Sequence, residues 1–379
     1  MKRVGVLFFF IGLAACGPPV TRTREEIFKL KEALERSRID DGVLFNARML
    51  SNPEASIWEN SGKHQGDVLL DDSQLEALVA DYAGAGSDPG SNRNAFIVAN
   101  TKWPGNVMIW QFGVNEFNSA QQQAILTAMS WIEHFSCVRF RRRTNERVFV
   151  TIRGQGTGCY AHVGYSTVHP NRINNLARNT PGRGCFNHVV IIHELLHNLG
   201  FQHMHETFVR NDFVRINWNN IEQQYWYAFE QFPRNQVDLL GLPYEYTSSM
   251  HYGAFAFSRN RQPTITALRS HSGTMGQREH ATHWDWLRLR RHYNCPGAWN
   301  ERNIQRMKEE VDSTLPLIKM NLPAPKKGLF TDEDNAYVQA LASKVNEDSA
   351  SEDNTVNEDF TNQETVNENE NVEEVIVED

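Results

Sequence analysis

The chain lacks long apolar runs, a glycine or proline bias, and a large excess of one charge. Glycine and proline number 24 and 14 among 379 residues, and 40% of residues are hydrophobic, which excludes a collagen-like or wholly disordered chain. The apolar run at residues 4–15 is shorter than the roughly 20 residues that span a bilayer, so we expect no transmembrane segment. The formal net charge of −8 argues against nucleic acid as a partner.

That net charge conceals three blocks. Residues 94–299 contain 20 Lys and Arg against 12 Asp and Glu, whereas residues 300–379 contain 7 against 20. Residues 345–379 contain 13 acids, no Lys or Arg, and a crude repeat of the letters VNE. We therefore expect a basic central domain followed by an acidic, largely disordered C-terminal tail over 300–379.

The first residues resemble an export signal. A basic start, the apolar run and small residues after it predict a signal peptide over 1–17 and a secreted, extracellular protein. Leu13-Ala14-Ala15-Cys16 leaves open a bacterial lipoprotein site with lipid on Cys16. The linker-like residues 83–92 end in Arg93, a site for a trypsin-like protease that would remove residues 18–93.

Cysteine is scarce, with five in the chain and none between Cys16 and residue 137. The other four lie in the basic block, and in an oxidising compartment they would form two disulfides. The count alone leaves three pairings open. Their positions are Cys137, Cys159, Cys185 and Cys295.

Hydrophobic periodicity predicts both helices and strands. Helices are expected at 24–36, 69–82 and 119–135, with Ser119 as N-cap of the last. Residues 189–199 form an apolar run, and its β-branched start at 189–192 is consistent with a buried element. Strands are expected at 107–112, 138–140 and 148–153.

The chemistry centres on the sequence HELLHNLGFQH, which begins at His193. On a helix, His193 and His197 share a face and can bind one metal ion, and Glu194 lies beside it. Gly200 can adopt a positive φ, which allows the chain to turn and bring His203 back as a third ligand. The extended motif predicts a zinc site.

A second motif follows 47 residues after His203. Residues 249–253 read SMHYG and look like a Met-turn, in which Met250 packs beneath the metal. Together with the zinc motif, these residues resemble the astacin family of zinc metalloproteases, within the metzincins. The resemblance covers residues 94–299 and predicts a metalloendopeptidase.

The resemblance implies a role for each matched residue. His193, His197 and His203 would bind one Zn²⁺. Glu194 would be the general base and later the acid, and the Tyr252 hydroxyl would stabilise the oxyanion. Protein or peptide substrates follow from these roles.

The resemblance also implies the architecture and the disulfides. The fold would be α+β and two-lobed, with a twisted mixed sheet and the active-site helix above the cleft and an irregular lower lobe. Cys137 would pair with Cys295, and Cys159 with Cys185. Residues 18–93 would be a propeptide and 94–299 the catalytic domain.

Two positions depart from the family pattern. The family has Glu directly after the third His, where this chain has Met204. Glu206 could substitute for that Glu, but we interpret it as an ordinary surface or loop acid. His205 is not expected to be a ligand, because the set of three is complete.

The second departure lies in the propeptide. Gly66-Asp67 resembles the family motif F-x-G-D, whose Asp replaces the catalytic water on zinc. The Phe position holds His64, which is an alternative zinc ligand. We expect Asp67 to be the latency ligand. Aligning Trp103 with an early Trp of the family places the mature start near Asn94.

One alternative function stays open at this point. The chain could be a zinc-binding, astacin-like interaction protein with impaired catalysis. The intact Glu194 and Tyr252 count against this alternative, and the missing Glu at Met204 counts weakly for it.

Overall fold

The computed structural model describes residues 23–39, 45–51, 57–83, 101–232, 234 and 237–325. The expected signal segment, the processing site at Arg93 and residues 345–379 of the acidic tail lie outside the described residues. Within these ranges, no helix combines the length and the apolar character needed to cross a membrane.

A five-stranded mixed sheet forms the framework of the upper lobe. Its order is β2-β1-β3-β5-β4. The pairs among β1, β2, β3 and β5 are parallel, and β4 runs antiparallel to β5 at the edge of the sheet. The strands are β1 (Val107–Phe112), β2 (Arg139–Arg142), β3 (Phe149–Arg153), β4 (Cys159–Ala161) and β5 (Asn171–Leu176).

Two helices pack with this sheet. Helix α4 (Ser119–Phe135) buries the face that carries Ile125, Met129 and Ile132, as its periodicity predicts. Its N-cap is Asn118, not Ser119, because the Asn118 side chain accepts a hydrogen bond from the main-chain nitrogen of Gln121. Helix α5 (His188–Asn198) is buried along its whole length, so it is a central element of the core.

The lower lobe has little regular structure. It contains one two-stranded antiparallel pair, β6 (Val214–Ile216) and β7 (Ile265–Ala267), and several short 3-10 turns. An aromatic cluster that includes Phe229, Tyr244 and Tyr252 forms its core. Helix α6 (His283–His292) then returns to the core of the upper lobe through Trp286 and Leu289. The expected α+β class is confirmed.

The described residues before the central domain contain three α-helices. They are α1 (Arg24–Ile39), α2 (Phe45–Ser51) and α3 (Asp72–Tyr82). Leu34, Leu70 and Leu75 from this region pack with Val163 and Phe232 of the central domain in one buried cluster. The segment before Arg93 is therefore attached to the domain by a small apolar core of its own.

The chain after residue 299 differs from the expected tail. Residues Glu301–Lys319 form helix α7, and Met307, Val311, Thr314 and Ile318 are buried along one of its faces. The His134 Nε2 atom lies 3.0 Å from Glu310 Oε1, and the Trp131 indole donates to the Leu322 carbonyl at 2.8 Å. The expectation of a disordered tail from residue 300 is therefore wrong for this helix, because its apolar side chains at helical spacing cover the core.

Candidate metal centre

Helix α5 presents the first two histidines of the motif. Its N-terminus is capped by Asn187, whose side chain accepts a hydrogen bond from the main-chain nitrogen of Val189 at 2.9 Å. His193 and His197 are one helical turn apart and completely buried, and their ring centroids lie 4.7 Å apart. The run of apolar residues around them therefore fixes both rings inside the protein.

The third histidine is brought back by the turn that ends α5. Gly200 has φ of 98°, and a Cβ atom there would lie 2.7 Å from the Thr101 hydroxyl oxygen. Only glycine fits this conformation and this close approach without strain. The chain then turns, and His203 faces His193 and His197, as the motif spacing predicts.

Four side chains converge on one point. The candidate ligand atoms of Asp67, His193, His197 and His203 all lie within 4.8 Å of one another, and the four side chains are buried. Asp67 Oδ2 lies 3.0 Å from His193 Nε2 and 3.2 Å from His203 Nε2. Asp67 Oδ1 lies 3.6 Å from His197 Nε2.

The hydrogen bonds of the outer ring nitrogens test whether this group fits a metal. His193 Nδ1 lies 2.8 Å from the Ser249 carbonyl, and His197 Nδ1 lies 2.8 Å from the Phe201 carbonyl. A carbonyl only accepts, so the proton of each neutral ring is on Nδ1 and the Nε2 lone pairs face the carboxylate. Lone pairs so close together need a cation between them. Three nitrogens and one oxygen match tetrahedral zinc.

Burial also sets the protonation states that metal binding requires. Burial lowers the pKa of His193 to about 4 and lowers that of His203. Burial alone would raise the pKa of Asp67, but the interactions with His203, His197 and His193 hold it well below its usual range. Neutral imidazole and ionised carboxylate are the ligating forms.

The two residues expected to act on substrate are also buried in this region. Burial raises the pKa of Glu194 well above its usual value, and the charge of Asp67 adds to the effect. Among the described residues, neither carboxyl oxygen of Glu194 has a hydrogen-bond partner. The Tyr252 ring centroid lies 4.7 Å from that of His203, and its hydroxyl donates to the Gln65 carbonyl.

The segment that contains Met250 supports the site from below. The Met250 carbonyl accepts from the main-chain nitrogen of Met204 at 2.8 Å, and the Met250 side chain is buried. The Ser249 carbonyl orients His193. Ser249 is itself held in place, because its main-chain nitrogen donates a hydrogen bond to Asp285 Oδ2 at 2.9 Å. Sequence reasoning missed Asp285. Its signal is the capping box formed with Thr282 at the start of α6.

Asp67 reaches the site on a stretch of chain that extends the sheet. The main-chain nitrogen of Leu69 donates to the Ala161 carbonyl at 2.8 Å, and the Ala161 nitrogen donates to the Asp67 carbonyl at 2.8 Å. Val68 thereby pairs in parallel with Ala161 of edge strand β4. An extended peptide substrate could not use this edge while the segment is in place.

The residues just before Asp67 close the site further. Gly66 has φ of 85°, and a Cβ atom there would lie 2.7 Å from the Cα atom of Glu59. The Trp58 ring stacks on His193 with centroids 4.5 Å apart. The Gly-Asp motif therefore needs its glycine for a tight turn that brings the carboxylate down onto the histidines.

Two other residues considered as possible ligands or anchors have different surroundings. His64 is buried and stacks on Tyr227 with centroids 5.4 Å apart, and it is not part of the four-residue ligand group. The interpretation of Glu206 as a surface or loop acid is wrong, because its side chain is fully buried. The 3-10 turn after His203 directs Glu206 inward, and its Oε2 atom lies 3.7 Å from His203 Nδ1.

Two disulfides fix the framework around the site. Cys137 is joined to Cys295, and Cys159 to Cys185, in the same pairs as the resemblance implies. The second disulfide ties edge strand β4 to the 3-10 turn just before α5.

Comparison with known proteins agrees with this geometry. The model of the peptidase family Astacin matches residues 96–294. This range is just over half of the chain and includes the three histidines and the Met-turn. The chain belongs to the astacin family and is a metalloendopeptidase.

Individual relatives extend the similarity beyond the family domain. Seminal metalloprotease 1 of Drosophila melanogaster is 35% identical over 237 residues, which cover 58% of this chain and 89% of that protein. Low choriolytic enzyme of Oryzias latipes is 35% identical over 269 residues, 70% of this chain and 88% of that protein. A solved structure, high choriolytic enzyme 1 of Oryzias latipes, described as a hatching enzyme zinc-protease, is 32% identical. It covers 55% of this chain and 98% of that chain, with a TM-score of 0.46.

Proposed function

We propose that the chain is the inactive precursor of a secreted zinc endopeptidase. Zinc would be held by His193, His197 and His203, with Asp67 as the fourth ligand until the propeptide is removed. The observation that carries the proposal is the convergence of three imidazoles and one carboxylate, with ligand atoms within 4.8 Å of one another, in a fully buried site. When bound, zinc would supply Lewis acidity, which makes water acidic and polarises a peptide carbonyl.

The side chains of the protein account for the proton transfers. Glu194 takes the proton of the attacking water and gives it to the leaving amine. In the precursor, burial and the charge of Asp67 raise the pKa of Glu194 well above its usual value, a direction that favours the step in which this carboxyl carries the proton. The Tyr252 phenol stays neutral, because burial raises its pKa, and it donates a hydrogen bond to the tetrahedral oxyanion.

Activation follows from what the propeptide covers. Asp67 lies at the proposed ligand position, and residues 67–69 pair with edge strand β4. The Gln65 carbonyl accepts a hydrogen bond from the Tyr252 hydroxyl. Cleavage at Arg93 by a trypsin-like protease would release all three together. N-terminal sequencing of the active form tests this step, and a start well away from Asn94 would contradict it.

The experiment that tests the function compares two trypsin-treated proteins on a fluorogenic peptide. Wild type should hydrolyse the peptide, and Glu194→Ala should lose nearly all kcat while it retains one zinc per chain. A chelator should abolish wild-type hydrolysis, and added zinc should restore it. Equal inertness of both zinc-loaded proteins would favour the zinc-binding interaction protein instead.

A further inference from the structure

Arg172, on β5, is a fully buried cation that contacts a residue outside the catalytic domain. Its Nε atom donates to the Gly164 carbonyl at 3.0 Å, and Nη2 donates to the Val163 carbonyl at 2.8 Å. Its Nη1 atom donates to Asp71 Oδ2 at 2.9 Å, and Asp71 belongs to the propeptide. The domain therefore holds the guanidinium in place through two carbonyls, while the propeptide supplies its counter-charge.

The Asp71 carboxylate divides its two oxygens between separate tasks. Oδ1 caps helix α3, because it accepts hydrogen bonds from the main-chain nitrogen of Gln74 at 2.9 Å and from the Ser73 hydroxyl at 2.6 Å. Oδ2 serves Arg172. The helix cap explains why the propeptide has Asp at position 71. It does not explain why the catalytic domain buries Arg172 against that Asp.

The pair lies beside the edge strand that a substrate would use. Asp71 follows Asp67 by four residues, which span at most about 13 Å in an extended chain. A cavity of about 240 Å³ adjoins the pair, and Val163, Tyr165, Ser166 and Arg172 contribute to its lining. His169 Nε2 lies 3.8 Å from Asp71 Oδ1.

We propose that Arg172 becomes a binding subsite for a carboxylate side chain of the substrate once the propeptide has left. This proposal rests on the proposed function, because it needs an activated protease. Removing Asp71 leaves the guanidinium held by its two carbonyls but without an anion, and a substrate carboxylate then takes the place of Asp71. The substrate class is a peptide with Asp or Glu three to five residues from the scissile bond.

The test uses the trypsin-activated enzyme and pairs of quenched fluorescent peptides. Each pair differs only in Asp against Asn at one position, three to five residues on either side of the scissile bond. Wild type should prefer Asp at one position by about tenfold in kcat/KM, as a charge-assisted hydrogen bond allows. In Arg172→Gln the ratio at that position should fall to about one. Arg215→Gln removes the same charge from an exposed site in the lower lobe and should keep the wild-type ratio.

A binding measurement covers the case in which Arg172→Gln folds poorly. A synthetic peptide of residues 57–83 should bind wild-type activated enzyme about tenfold more tightly than the same peptide with Asp71→Asn. Absence of any Asp preference in wild type overturns the proposal, and so does equal binding of the two peptides. So does a preference that survives in Arg172→Gln, since it would belong to another cation. Failure of wild type to cleave any peptide would instead count against the proposed function.

Discussion

Replacing Asp67 by Asn should make the uncleaved precursor partly active. Asn has nearly the same shape, so the turn at Gly66 and the pairing with β4 should persist while the negative charge is lost. The carboxylate lies 3.0 Å from His193 Nε2 and 3.2 Å from His203 Nε2. As the proposed fourth zinc ligand, the Asp67 carboxylate is one partner of a buried charge pair. Breaking such a pair costs about 3–5 kcal/mol, so neutralising the carboxylate weakens closure by about 3 kcal/mol or more.

That free energy sets the size of the effect. About 3 kcal/mol corresponds to a rise of about 100-fold in the population of open precursor. Hydrolysis by the uncleaved Asp67→Asn protein should rise by this factor. It should stay below that of the cleaved enzyme, because the Ala161 pairing and the Asp71–Arg172 pair still hold the propeptide.

The assay measures hydrolysis of a quenched fluorescent peptide, with intact mass checked before and after. Asp72→Asn is the matched control. It makes the same chemical change at a side chain that is 69% exposed and pairs with Arg38, and exposed ion pairs contribute little. Zinc-loaded Asp67→Asn precursor that is as inert as wild type, yet becomes fully active after trypsin, would refute the reasoning.

Three further outcomes are expected. Glu206→Ala should lose zinc to a chelator about 10–100-fold faster than wild type, because the buried carboxyl faces the outer nitrogen of His203. Glu206→Gln should lose zinc less quickly than Glu206→Ala. Equal rates of zinc loss in a metal-indicator assay would show that Glu206 does not support His203. Met307→Ala should lower the free energy of unfolding by about 3 kcal/mol and Tm by about 6–12 °C in calorimetry. Lys308→Ala, on the exposed face of α7, should change the free energy of unfolding by less than about 0.5 kcal/mol. The same Tm for both variants would mean that α7 does not cover the core. Burial lowers the pKa of His188 to about 4 and that of His292 to about 3, so below pH 6.5 the unfolded chain binds more protons than the folded one. The free energy of unfolding should therefore fall as pH drops from 6.5 to 4, by up to about 1.4 kcal/mol per pH unit for each histidine, and denaturant titrations that show no such fall would contradict it.

The sequence predicts the site well where one motif determines both structure and chemistry. The helix that carries His193 and His197 and the glycine turn to His203 follow from local spacing, since residues four apart on a helix share a face. The strand at 107–112 and the helix at 119–135 follow equally from their periodicity, and the structure has them at these bounds.

The remainder depends on contacts between distant parts of the chain. The inward direction of Glu206 is set by a 3-10 turn packed behind the metal ligands, and local polarity gives no sign of it. Two partners of Arg172 lie in the connection just before β5, but the third, Asp71, is 101 residues away in the segment before residue 93. Helix α7 did carry a signal in the spacing of Met307, Val311 and Ile318, but the acidic composition around it suggested a tail.

The bond between Cys137 and Cys295 has a consequence for how cleavage of this protein can be observed. It spans 158 positions, so it encloses His193, His197 and His203 and nearly all of the lower lobe. One cut anywhere inside that loop leaves two fragments joined by the disulfide. On a denaturing gel the cut protein therefore runs at the mass of the uncut protein until the disulfide is reduced. A cut at Arg93 falls outside the loop and frees a fragment without reduction. Maturation and internal damage therefore leave different signatures when the same sample is run with and without reductant.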